Sequence, residues 1–194
     1  MSNPIRSAAV VGVMLMVAAA WSATAARADE GYGLSAPRIK HVAATEHFLC
    51  GQARTRLAEF GAGLQVAFGP AERAVDARRV QKTGPAVFIY DGATGDPQRP
   101  FTLTAGFPVA PGDEAPDGLS LKTLPERRVA TAYFTGRPDQ IPEAWEVFVE
   151  GVHDAGHTFK PGGLSYEVYL DWKGDASPNN VVELQIEVAS EDES

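Results

Sequence analysis

From Val182 to Val188 apolar and polar residues alternate without a break. Val182, Leu184, Ile186 and Val188 fall on one side, Glu183, Gln185 and Glu187 on the other. A period of two predicts a strand with one buried face. "RRVATAYF" (127–134) alternates likewise, with Ala130, Ala132 and Phe134 on one face and Val129, Thr131 and Tyr133 on the other. In the stretch that follows, Ile141, Trp145, Phe148, Val152 and Ala155 recur at helical spacing, and Glu143, Glu146, Glu150 and Asp154 occupy the opposite side. Asp139 is the expected helix cap, Pro142 is tolerated in the first turn, and Gly156 is the expected stop. "YEVYLDW" (166–172) and "VVELQIEVA" (181–189) then predict two strands joined by the turn-rich "KGDASPNN". The order is strand, helix, strand, strand.

Residues 38–109 repeat that order less cleanly. "IKHVAATEHFLCGQA" supplies strand material, and "LAEFGAGLQVAFGPAERAVDARRV" supplies helix interrupted near Gly69 and Pro70. "PAVFIYDG" and "FTLTAGFPVA" supply two more strands. Setting "AGFPV" (105–109) on "LQIEV" (184–188) puts Thr104 at the place of Glu183 and keeps Leu103 and Phe107 apolar. Between the two units, residues 110–126 are rich in Pro, Gly and Asp and predict a linker. Residues 29–37 read as a mobile lead-in and 190–194 as a solvated acidic tail, neither expected to carry function.

Amphipathic strands with one helix per unit predict an α+β fold. Duplicated strand-helix-strand-strand units form one antiparallel sheet, with both helices on one face. The second sheet face would be uncovered. On it the alternation places Glu167 and Tyr169 from one strand and Glu183 and Gln185 from another, with Tyr133 and Thr104 as further candidates.

The first 28 residues change the picture of where the chain works. Arg6 precedes the uncharged "AAVVGVMLMVAAAW", and "ATAARA" supplies small residues before Asp29, the layout of a secretory signal peptide with cleavage expected after Ala28. The apolar run is short for a membrane span of about 20 residues, which favours cleavage over the alternative of a retained anchor. Cleavage predicts a periplasmic or secreted protein without stable membrane association. The leader holds two arginines and no acid, so its loss takes the formal charge from −8 to −10. That balance argues against nucleic acid as a partner. The single cysteine, Cys50, excludes an internal disulfide and reads as a small buried hydrophobe.

Little else in the sequence suggests chemistry. His153 and His157 are four residues apart, but Gly156 ends the helix between them and no third ligand follows at a recognisable spacing, so no metal is expected. "DGATGD" (91–96) has no following Lys-Ser/Thr, so it is no phosphate loop. No cofactor is predicted.

"RRVATAYFTGRPDQIPEAWEVFVEGVHDAG", "YEVYL" and "VVELQIEV" together resemble the second repeat of the GyrI-like small-molecule-binding superfamily, which includes effector-binding domains of AraC-type and MerR-type multidrug regulators. The resemblance spans about residues 38–189, and the first half, 38–109, matches in layout only. It implies a ligand groove between the halves lined by aromatic residues and an acid, with Trp145 on the helix, Glu167 and Tyr169 on the groove-side strand, and Glu183 as the pocket glutamate. No helix-turn-helix precedes the domain here, so a standalone exported module is expected rather than a regulator. The implied function is binding of a small, partly hydrophobic, cationic molecule, with Glu183 as counter-charge and Tyr169 as an aromatic wall. Two alternatives remain open at this point. One is hydrolysis of a reactive small molecule, with Glu183 as general base and Tyr169 or Tyr133 as orienting donor. The other is a protein-interaction or inhibitor module whose partner is unknown.

Overall fold

The computed structural model describes residues 31–190. The expected leader, its cleavage point after Ala28, and the acidic tail beyond Ser190 lie outside the described residues. Nine strands form one antiparallel sheet: β1 (Gly33–Leu34), β2 (Arg38–Val42), β3 (Thr45–Thr55), β4 (Ala86–Asp91), β5 (Phe101–Pro108), β6 (Ser120–Leu124), β7 (Arg127–Gly136), β8 (Ser165–Asp171) and β9 (Asn180–Glu187). The helices are α1 (Phe60–Ala67), α2 (Gly69–Asp76) and α3 (Ile141–Asp154). The helix expected in the first half is thus broken at Phe68, directly before Gly69 and Pro70.

The duplication is visible in the strand order. In the first half β5 lies between β3 and β4; in the second β9 lies between β7 and β8. The halves join edge to edge through β4 and β8, with Phe88 directly opposite Glu167. Helices cover one face. α3 packs Ile141, Ala144, Phe148 and Val152 on Ala130, Ala132, Phe134, Val182 and Leu184. α1 and α2 cover Leu49, Phe88, Tyr90, Leu103, Ala105 and Phe107. The apolar sides assigned to β5, β7 and β9 by alternation are the sides that meet helices.

α3 ends as expected, with Gly156 in the left-handed region at φ +80°. Its start differs. Asp139 lies in a short 3-10 turn and pairs with Arg137, while the Gln140 side chain accepts from the Arg137 N–H at 2.9 Å. Gln140 thus closes the preceding turn, and α3 itself starts without a side-chain cap.

Two segments expected to be irregular belong to the sheet. The lead-in contains β1, paired with Thr135 and Phe134 of β7. Tyr32 packs on Phe134, and the Ser35 hydroxyl accepts from the Tyr133 N–H. The linker contains β6, paired with β3. β2 and β3 are separated by two residues, Ala43 and Ala44, and β6 and β7 by Pro125 and Glu126. The pairing of Val42 with Arg127 resumes at Thr45 with Leu124 in unbroken register. These four strands are one long two-stranded ribbon interrupted where Pro125 lacks an N–H to donate. Half of the ribbon borders β9 and the other half borders β5, so the sheet curls until its edges approach, without closing.

That curl removes the uncovered face. The inner side of the sheet packs Phe48, Cys50, Val87, Ile89, Leu124, Tyr166 and Val168 against one another, every one from a strand and each at most 9% exposed. Gly106 marks a close backbone approach. A Cβ there would lie 1.9 Å from the Leu49 carbonyl oxygen.

Candidate functional site

The six expected site residues divide between the two faces of the sheet. Cross-strand partners share a face, and Glu183 lies opposite both Tyr133 and Val168, whereas Glu167 lies opposite Leu184 and Phe88. Glu183, Tyr133 and Thr104 therefore occupy the inner face. Glu167 and Tyr169 occupy the helix-covered face, where Trp145 reaches them from α3. The expectation of a single face holding all four strand residues Glu167, Tyr169, Glu183 and Gln185 is overturned. Alternation fixes the phase within a strand, but the phase between strands depends on register.

On the inner face the polar groups are bonded among themselves. Glu183, 4% exposed, accepts from Lys40 Nζ at 2.8 Å and from the Thr131 hydroxyl at 2.7 Å. Lys40 comes from β2, so this pair ties the long ribbon to β9. Glu187 accepts from the Tyr166 hydroxyl and lies 3.3 Å from Lys160 Nζ, rather than standing as a solvated strand-end charge. Arg127 stacks on the Tyr166 ring at 4.2 Å, and burial lowers its pKa below the ordinary arginine value. Thr104 accepts from Gln52 Nε2 at 2.8 Å. Cys50 is buried, and that burial pushes its thiol up. Both glutamates of this layer have a lysine counter-charge, whereas Arg127 Nε is buried without a hydrogen-bond partner among the described residues.

On the other face Glu167 sits at the seam between the halves. It is 4% exposed. Trp145 Nε1 donates to one carboxylate oxygen at 2.7 Å and the Tyr169 hydroxyl donates to the other at 2.6 Å, with the Tyr90 hydroxyl nearby. Burial raises its pKa above the ordinary glutamate value, and the neighbouring hydroxyls and indole counter that in part. Burial beside this carboxylate also holds Tyr90 and Tyr169 well above the ordinary phenol range, so both remain donors.

The repeat explains the arrangement. Val87 pairs with Gly106 as Tyr166 pairs with Gln185, so superposing Gly106 on Gln185 superposes Phe88 on Glu167 and Tyr90 on Tyr169. Phe88 and Glu167 also pair with each other. The carboxylate therefore lies on the pseudo-two-fold axis, and two tyrosines equivalent under the repeat reach it from either side. Further rings extend the surface. Phe88 is 4.5 Å from Tyr169, Phe60 stacks on Tyr90, and Trp145 leans on Phe148. Tyr169 packs against the cores of both halves and, like Trp145, is only partly buried. Sequence reasoning passed over Tyr90 and Phe88. The signal was present in "FIY" against "EVY", the same spacing in both repeats.

A profile of the GyrI-like small-molecule binding domain matches residues 36–189. The chain belongs to the GyrI-like family. Solved structures agree on this fold at low identity. The EcmrR C-terminal domain is 13% identical with a TM-score of 0.61, over 79% of this chain and 97% of that one. SAV2435 bound to tetraphenylphosphonium is 12% identical with a TM-score of 0.57, over 79% of this chain and 94% of that one. EcmrR in a DNA complex is 14% identical with a TM-score of 0.65, and the GyrI-like chain described here spans 64% of its length. No curated protein matches. The GyrI-like domain is thus a small-molecule-binding module built from two repeats, with an acid and its aromatic donors at their junction.

Proposed function

We propose that this GyrI-like domain binds a lipophilic cation at the seam between its halves, with Glu167, not Glu183, as the counter-charge. The observation that carries this reading is that every hydrogen-bond donor on Glu167 is neutral, whereas Glu183 has Lys40. Neutral donors stabilise a carboxylate without cancelling its charge. Each of its oxygens already accepts a hydrogen bond, so a ligand gains less by donating hydrogen bonds than by bringing diffuse positive charge to Trp145, Tyr169 and Tyr90. A bulky aromatic cation has those properties, and the relative SAV2435 was solved with one. Hydrolysis needs a carboxylate oxygen free to take a proton from water, and the donors on Glu167 and Glu183 favour binding over that reading.

The test is charge-sign selectivity at constant shape. Tetraphenylphosphonium is expected to bind saturably by isothermal titration calorimetry, and the size-matched anion tetraphenylborate is expected not to bind. Equal affinity for the two would overturn the proposal. The basic, apolar and small-residue order of residues 1–28 supports export with cleavage after Ala28, which amino-terminal sequencing of protein recovered from outside the cytoplasm would check.

A further inference from the structure

Trp172 stands just beyond β8, on the connection to β9, and is 43% exposed. Its indole meets Tyr169 edge-on at a centroid distance of 5.3 Å. A half-exposed indole is stabilising in place only if the backbone beneath it is held, and one side chain holds it. Asn180, the first residue of β9, is 0% exposed. Its carbonyl oxygen accepts from the Lys173 N–H at 2.7 Å, and its amide donates to the Gly174 and Ser177 carbonyls at 3.0 and 2.9 Å. Acceptor and both donor hydrogens are spent on the same connection. Gly174, at φ +102°, allows the bend that brings these carbonyls inward, and the Ser177 N–H closes the turn on the Gly174 carbonyl. The neighbouring Lys173–Asp171 pair is half-exposed and contributes little. A buried amide with every bond directed to one loop specifies that loop's conformation. The contacts run from Asn180 to the loop, from the loop to Trp172, from Trp172 to Tyr169, and from Tyr169 to Glu167.

We infer that Trp172 is the outer aromatic wall of the Glu167 site and that Asn180 is the positioning residue that keeps it there. The inference rests on the binding function proposed above. It assigns the loop 172–179 to the retention of bulky aromatic cations and predicts that Asn180 acts on the ligand only through Trp172.

The experiment uses the full chain with tetraphenylphosphonium as probe, measured by calorimetry, in wild type, Trp172→Ala, Asn180→Ala and the double variant. An aromatic contact of ordinary strength makes each single change weaken binding by about 2- to 10-fold. Because Asn180 acts through Trp172, the double variant is expected to bind within about twofold of Trp172→Ala alone. Hydrogen exchange supplies a readout that needs no ligand. In Asn180→Ala the amides of residues 172–179 are expected to exchange faster while α3 and β7 keep their protection. Asn180→Ser keeps a short hydroxyl that can donate or accept one hydrogen bond, and should fall between. It also replaces Asn180→Ala if that variant fails to fold. Wild type without saturable binding overturns the function and this inference together. Wild type that binds, with Trp172→Ala unchanged, overturns the inference alone, and additive losses in the double variant overturn the role of Asn180.

Discussion

Replacing Glu167 by glutamine removes the one charge at the seam and keeps the shape. Trp145 and the two tyrosines retain a polar partner, and Tyr hydroxyls accept as well as donate. A monovalent cation centred about 6 Å from the carboxylate, at an effective dielectric constant of about 20, gains about 3 kcal/mol from it. Contacts to the ring faces survive the substitution. The expected result is therefore an affinity loss of about 100-fold for tetraphenylphosphonium, at about 1.4 kcal/mol per tenfold. Calorimetric titration of wild type, Glu167→Gln and Glu183→Gln at one pH and ionic strength checks it. Glu183→Gln should leave the affinity within about threefold of wild type, because that carboxylate lies on the opposite face and is bonded to Lys40 and Thr131. A loss under about threefold for Glu167→Gln, or an equal loss for Glu183→Gln, would refute the assignment.

Protons compete with the cation for Glu167. Since burial raises its pKa above the ordinary glutamate value, affinity should begin to fall at a higher pH than an ordinary glutamate would give, and it should recover as pH rises through the raised pKa. Without ligand, the same group's contribution to stability is fully present below the unfolded pKa and is lost as pH rises through the folded one. The thermal shift produced by tetraphenylphosphonium should therefore be larger at pH 7 than at pH 5, and a shift independent of pH would contradict this. Glu183→Gln should cost about 1–2 kcal/mol in urea denaturation, a modest figure because the Lys40 end of the pair is 41% exposed. Gly106→Ala should cost more than about 3 kcal/mol or prevent folding, because its Cβ would meet the β3 backbone at Leu49 and Cys50, and circular dichroism with urea melts measures this.

The alternation in 127–134 and 182–188 was sufficient to assign those strands and their helix-facing sides, and the 141–152 spacing was sufficient for α3. Each segment has one face against a helix and so carries a one-sided pattern. β8 differs. Its polar and apolar sides are exchanged relative to β9: Tyr166 and Val168 pack inside the curled sheet while Glu167 and Tyr169 lie under the helices, so polarity does not mark the inner side of β8. The glutamate of β8 was therefore placed beside that of β9 on polarity alone, and register placed it on the other side. The partner that gives Glu183 its structural role, Lys40, is 143 residues away, and no local pattern announces the pairing of β2 with β7. β6 was hidden for a different reason. It is short, and it adjoins Pro125 inside a Pro- and Gly-rich stretch that reads locally as a loop. The internal duplication could have revealed the site, because it pairs Tyr90 with Tyr169 about the Phe88–Glu167 axis.

The most direct test is a crystal structure of the protein with tetraphenylphosphonium. The cation is expected against Glu167, bounded by Trp145, Tyr169 and Tyr90 on the helix-covered side of the β4–β8 seam. Density for the cation on the inner face beside Glu183, with Glu167 still enclosed by its own protein neighbours alone, would contradict the assignment.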